Sequence, residues 1–161
     1  TAGTGLAVFV DQFRKKGDDY RAILAQALAD RLAEAFAEAM HEKVRRELWG
    51  YAPNERLGLK EILQGEYQGI RPAPGYPACP DHTQKEALFD LLEATSHTGI
   101  RLTENFAMDP VSSVCGFYFA HPQSKYFWLG KIQKDQVEDL ARRKGVAVSE
   151  IEKWLAPNLA Y

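Results

Sequence analysis

Between Asp19 and about Leu48, the apolar residues Tyr20, Ile23, Leu24, Ala27, Leu28, Leu32, Phe36, Ala39 and Met40 recur at helical spacing. Asp30, Glu34, Glu38 and Glu42 fall off that stripe. Side chains three and four apart share a helix face, so the pattern predicts a long, alanine-rich amphipathic helix. Before it, Leu6, Phe9, Val10 and Phe13 form a shorter stripe in "GLAVFVDQFRKK", with Thr4 as the expected cap and Gly17 as the stop. After it, "WGYAPNERLG" breaks the periodicity, and "LKEILQGEYQG" supplies a short helix that ends by Gly69. Ala87, Leu88, Leu91 and Leu92 predict a third main helix from near Thr83 to Glu93.

Beyond that point the pattern turns to β. "IRLTENFAM" and "SSVCGFYFAH" are rich in β-branched and aromatic residues and are separated by the turn signal "DPVSS". "SKYFWLGKI" follows through "HPQS", so "VCGFYFAHPQSKYFWLGKI" reads as a hairpin. The end is helical again, with "DQVEDLARRKG" stopped by Gly145 and a capping box expected at Ser149 and Glu152. The expected fold is α+β. Helices pack on a small, mostly antiparallel sheet, with a long N-terminal amphipathic helix and a late β-hairpin.

The chain's 161 residues suit one domain with one core, and no repeat or linker divides residues 1–161. A net charge of −2, with basic and acidic residues interspersed, gives no footprint for nucleic acid, and no apolar run approaches a membrane span. Two cysteines are too few for a disulfide framework, and "TAGTGLAVFV" lacks the features of a signal peptide, so a cytoplasmic location is expected. Without an initiator methionine, the chain reads as part of something longer.

The most constrained stretch is "GIRPAPGYPACPDH", residues 69–82, with four prolines. Proline fixes its own φ and restricts the residue before it, so Arg71, Ala73, Tyr76 and Cys79 are biased toward extended backbone. Amide and carbonyl groups there are left for a ligand or for another part of the chain, and Gly75 permits close approach. Arg71 offers a fork suited to a carboxylate or phosphate, and Tyr76 an apolar face with a polar tip. On composition two uses stay open: an anion grip, or a structural ion pair with prolines bracing a crossover. "KYFW", residues 125–128, similarly suits either stacking on a nucleoside or core packing. Asp30 and Glu34, adjacent at i and i+4, form either a solvated face or a seat for a cation. Cys79, His82, Cys115 and His121 supply zinc-type donors, but without paired knuckles the pattern argues against a metal site. No dinucleotide, P-loop or serine-hydrolase motif is present.

The proline-rich loop, with "DYRAILAQALADRLAEAFAEAMHEKVRRELWGYAP" and "DQVEDLARRKG" followed by "EKWLAPNL", resembles the activation domain of cobalamin-dependent methionine synthase across nearly the whole chain. The resemblance implies the later portion of that S-adenosylmethionine-binding module, without its first residues and an acidic ligand contact they carry. The family's Arg-x-x-x-Gly-Tyr motif falls on Arg71, Gly75 and Tyr76. Arg71 would hold the ligand carboxylate and the backbone at Ala73 would meet the adenine edge. Glu34 would lie near the cationic part. The family's Tyr-Tyr pair falls on Tyr126 and Phe127, so one hydroxyl is lost. The implied chemistry is reductive methylation within a 5-methyltetrahydrofolate-homocysteine methyltransferase. An electron from flavodoxin or a similar reductase and a methyl from S-adenosylmethionine convert cob(II)alamin to methylcobalamin. Cobalamin belongs to a neighbouring domain and zinc lies elsewhere in the full-length enzyme. This segment would be non-catalytic alone, with no general acid or base. A reading of another class is a protein-docking module that uses the loop and the aromatic hairpin.

Overall fold

A computed structural model describes residues 1–161. Helix α1 spans Leu6–Arg14 and folds back on α2, Asp19–Lys43, which continues into a π-helical turn at Val44–Leu48. Asp18 caps α2 by accepting the Arg21 N–H at 3.0 Å. Short helices follow: α3 at Leu59–Gln64, α4 at Gln84–Leu91 and α5 at Ala94–Thr98. Strands β1, Arg101–Leu102, and β2, Met108–Asp109, pair antiparallel, with Arg101 opposite Asp109. Helices α6, Lys134–Lys144, and α7, Val148–Leu155, complete the α+β architecture before a 3-10 turn at Ala156–Asn158. No helix is long and apolar enough to cross a membrane.

The long helix forms where the periodicity predicts it, but its orientation is reversed. Ala22, Ala29, Ala33 and His41 are buried, whereas Tyr20, Ile23, Leu24, Leu28, Leu32 and Phe36 are exposed. Helix α4 shows the same inversion, burying Lys85 and exposing Leu91 and Leu92. The contiguous apolar core lies at the other end of the chain, where Ile132, Val137, Ala141, Ile151 and Leu155 pack together.

The late hairpin does not form between the two expected arms. Residues 117–119 instead pair with the proline-rich loop: Phe117 N–H donates to Pro72 O, and Ile70 and Phe119 exchange both backbone bonds, all at 3.0 Å. Proline removes donors but leaves carbonyls, and those carbonyls recruit this edge. Residues 125–131 run alongside, with the Leu129 N–H donating to Pro77 O at 3.4 Å. The small hairpin forms inside "IRLTENFAMD", because Thr103 closes a tight turn. Its N–H donates to Ala107 O at 2.8 Å and its Oγ1 accepts the Ala107 N–H at 3.1 Å. Two caps also differ. Gly5 in a left-handed conformation, not Thr4, precedes α1. The capping box belongs to Gln133 and Gln136 on α6, because α7 starts at Val148 and places Ser149 inside its first turn.

Candidate functional site

Three segments meet at the loop: the inner face of α2, residues 70–79 and residues 114–127. The Arg71 guanidinium reaches back to α2 and donates end-on to Glu38, Nη1 to Oε1 at 2.7 Å and Nη2 to Oε2 at 2.5 Å. Its Nη1 also lies 3.3 Å from His41 Nδ1 and 3.3 Å from the Tyr67 hydroxyl. The backbone is fixed as well, since the Arg71 N–H donates to the Tyr126 hydroxyl at 2.9 Å. Burial pushes the Glu38 carboxyl up, but the hydrogen bonds and charge of Arg71 outweigh it and hold the group below the usual carboxylate range.

Behind this pair is a buried polar network. His41 is fully buried, stacked on Tyr118 at 5.0 Å and 3.3 Å from the Tyr51 hydroxyl. Burial, then the charges of Arg45 and Arg71, depress its pKa to about 4, so the imidazole is neutral at physiological pH. Arg45, on the π-helical turn, is fully buried. Its Nε and Nη2 meet Glu55 at 2.7–3.1 Å and its guanidinium lies 4.1 Å above the Tyr67 ring. Apolar periodicity singles out none of these groups. Glu38 had a visible signal, being four residues from Glu34 on the polar side of α2.

The loop's other end is anchored to α6 and α4. Asp81 pairs with Lys144 and accepts from the Thr83 N–H at 2.9 Å and the Thr83 hydroxyl at 2.6 Å. Between the anchors the backbone turns tightly, Gly75 N–H donating to Cys79 O at 2.7 Å and Cys79 N–H to Tyr76 O at 2.8 Å. Gly75 has φ +101°, and a Cβ there would lie 2.2 Å from the His82 ring, so a side chain is excluded by both conformation and space.

Arg71, Ala73, Tyr76, Tyr126, Phe127 and Glu34 line one cavity of about 340 Å³. Six of the seven residues expected at a ligand site are therefore brought together. Gly75 does not line the cavity and instead shapes its rim. The Ala73 carbonyl accepts the Tyr76 N–H at 3.2 Å, while its own N–H has no protein acceptor. Glu34 is exposed and makes no hydrogen bond or ion pair, in contrast to Glu38 and to Asp30, which accepts from the Ser112 hydroxyl at 2.6 Å. Tyr76, Tyr126 and Phe127 are each more than half exposed, an open aromatic rim suited to stacking a planar group. The cavity thus sets the Arg71 guanidinium, whose end-on edge is taken by Glu38, beside the free Glu34 carboxylate, an arrangement that can meet both an anionic and a cationic group.

A larger cavity of about 700 Å³ lies beyond Pro72 and Phe127, walled by Ile70, Phe117, Leu140 and Leu155 among others. Arg71 and Glu34 do not reach it, so those two charged groups belong to the smaller cavity. No three His, Cys, Asp or Glu side chains converge as metal ligands. Burial raises the thiol pKa of Cys79 and of Cys115. No histidine lines either cavity: His41 and His82 are engaged in the network and under the loop, and His97 and His121 stand on the surface.

Residues 1–145 match the family model described as the vitamin B12 dependent methionine synthase activation domain. The fold is also similar to a crystal structure of the MetH reactivation domain bound to AdoHcy, at 60% sequence identity and a TM-score of 0.94. That similarity covers 97% of this chain and 48% of the other, so the chain spans about half of the solved relative. The match over residues 1–145 and the likeness in fold give one answer: the chain belongs to the vitamin B12 dependent methionine synthase activation domain family.

Proposed function

We propose that this chain binds S-adenosylmethionine in the 340 Å³ cavity and presents its methyl group for the reductive methylation of cobalamin held by a neighbouring domain. The observation that carries the reading is the convergence of Arg71, Ala73, Tyr76, Tyr126, Phe127 and Glu34 on one open cavity. Support also comes from the similar reactivation domain, which binds AdoHcy, the thioether left when the methyl departs.

Each group has a physical task. The Arg71 fork takes the ligand carboxylate, and the unpaired Ala73 N–H meets the adenine edge. The aromatic rim covers the nucleoside. Glu34 neutralises the ammonium or sulfonium side. Phe127 keeps the stacking surface and contributes no hydrogen bond. A sulfonium methyl is already electrophilic, so the protein's share of the reaction is positioning, without an acid or base. The openness of the site fits presentation of the methyl to a second domain. In this reading the electron comes from flavodoxin or a similar reductase.

Isothermal titration of the intact protein with S-adenosylmethionine tests the assignment. Arg71→Ala should weaken binding by about a hundredfold, the scale of losing a charge-assisted bidentate contact. Unchanged affinity would remove the assignment. A docking role for the same surface is favoured by Trp128, which is 80% exposed and lies outside the cavity. Trp128→Ala should leave S-adenosylmethionine binding intact while weakening association with the cobalamin domain or reductase.

A further inference from the structure

We propose that Glu38 is a positioning residue of this site, holding Arg71 so that the Nε edge of its guanidinium is the fork left for a ligand carboxylate. The inference rests on the ligand reading above and goes beyond it by assigning a role to a residue that does not line the cavity.

An arginine guanidinium has five N–H donors in one plane and two edges on which a carboxylate can sit with both oxygens, end-on across Nη1 and Nη2 and side-on across Nε and Nη2; the fifth proton, on Nη1, lies beside Cδ. Glu38 occupies the end-on edge with both oxygens, at 2.7 and 2.5 Å. The outer Nη1 side faces His41 Nδ1 and the Tyr67 hydroxyl, each 3.3 Å away. The remaining edge carries Nε and the second Nη2 proton. Nε has no protein acceptor, and it is not buried either: the buried side-chain nitrogens without partners are Arg45 Nη1 and Arg46 Nε. An unpartnered, solvent-reached donor edge on a residue that lines the cavity is where an incoming carboxylate finds a bidentate seat.

The surroundings make this edge a fixed one. His41, held neutral between two arginines, and Tyr67, held under Arg45, close the Nη1 side. Tyr126 fixes the Arg71 backbone N–H at 2.9 Å, so both ends of the side chain are restrained. Glu38 also cancels the Arg71 charge locally. The net charge of the cavity is then set by Glu34, four residues away on the same face of α2 and without a partner. One helix thus supplies both the carboxylate that orients the fork and the carboxylate that faces the ligand's cationic side.

The test uses the intact protein and two probes, S-adenosylhomocysteine and its methyl ester, in which the carboxylate is masked. With Glu38→Gln and Glu38→Ala, the dissociation constant for the acid should rise about tenfold to a hundredfold, on the scale of losing a residue that orients a metal ligand. Affinity for the ester should change by less than about twofold, and Glu38→Asp should restore part of the loss. Tighter binding of the acid would show that Glu38 competes with the ligand, and unchanged binding would show that it is irrelevant. An equal loss for both probes would show a structural role; each of these outcomes overturns the inference alone. Failure of the wild-type protein to bind the acid, or equal wild-type affinity for acid and ester, overturns the ligand reading and the inference together.

Discussion

Ile132, Val137, Ala141, Ile151 and Leu155, around helices α6 and α7, close into a buried apolar cluster, whereas Tyr20, Ile23, Leu24, Leu28, Leu32 and Phe36 of α2 stand exposed. Both regions have helical apolar spacing. In the C-terminal pair the apolar face meets its own complement within the chain. In α2 the inward face is built from alanines and His41 instead, with acids along its border. Ala29 and Ala33 let the rest of the chain approach closely, and Asp30, Glu34 and Glu38 take up three different partnerships: a serine, none, and an arginine. Periodicity therefore reports which residues share a face, and the composition of the opposite face decides which way the helix turns.

The strongest way to break the comparison is to attack the polar core behind α2. If that end of the molecule is held by charged networks, removing one partner of the Arg45–Glu55 pair should cost more than trimming any apolar residue near it. Arg45 is fully buried and the Glu55 side chain is 8% exposed. Glu55→Ala would strand a buried guanidinium, and a loss of about 3–5 kcal/mol in urea unfolding is expected. A loss below about 1 kcal/mol would mean the network is not what holds this region.

A smaller effect separates the two ends by pH. The His41 pKa is about 4 in the folded protein, against about 6.5 for an unfolded histidine. Between those values the unfolded chain binds the extra proton, so stability is full above about pH 6.5 and falls as the pH drops toward 4. The loss is at most about 3.5 kcal/mol by linkage. Glu38 and Asp81, both held below their ordinary range, add their losses only at lower pH, as each is protonated through its depressed folded value. His41→Phe should flatten the slope between pH 6.5 and 4 in urea titrations; a slope unchanged by that substitution would point to another group.

These same features mark what could be read in advance. The loop residues Arg71, Ala73 and Tyr76 were legible because proline and glycine constrain the backbone locally, independently of distant contacts. Tyr126 and Phe127 were legible as a surface but not as a hairpin arm. Pairing is a long-range choice, and the Ile70 and Pro72 carbonyls took the Phe117–Phe119 edge. Glu38 and His41 were not singled out, because their roles depend on Arg71, thirty or more positions away in sequence. Helix existence followed from short-range spacing; helix facing did not, since α2 and α4 turn polar or small side chains inward toward partners that no local pattern names.

The finest test of the contrast uses one substitution in two places. Ile151 of α7 is 4% exposed and Ile23 of α2 is 65% exposed, so Ile→Val removes the same methylene from a packed site and from a solvated one. Ile151→Val should cost about 0.5–1.5 kcal/mol, combining lost transfer energy with a small void. Ile23→Val should stay within about 0.5 kcal/mol, because there is neither burial to lose nor a cavity to open. The difference is read from paired denaturant midpoints at constant m-value, which isolates stability from changes in compactness. Equal costs at the two positions would mean that the outward face of α2 is covered in solution, and the opposition between the two ends of the chain would fall.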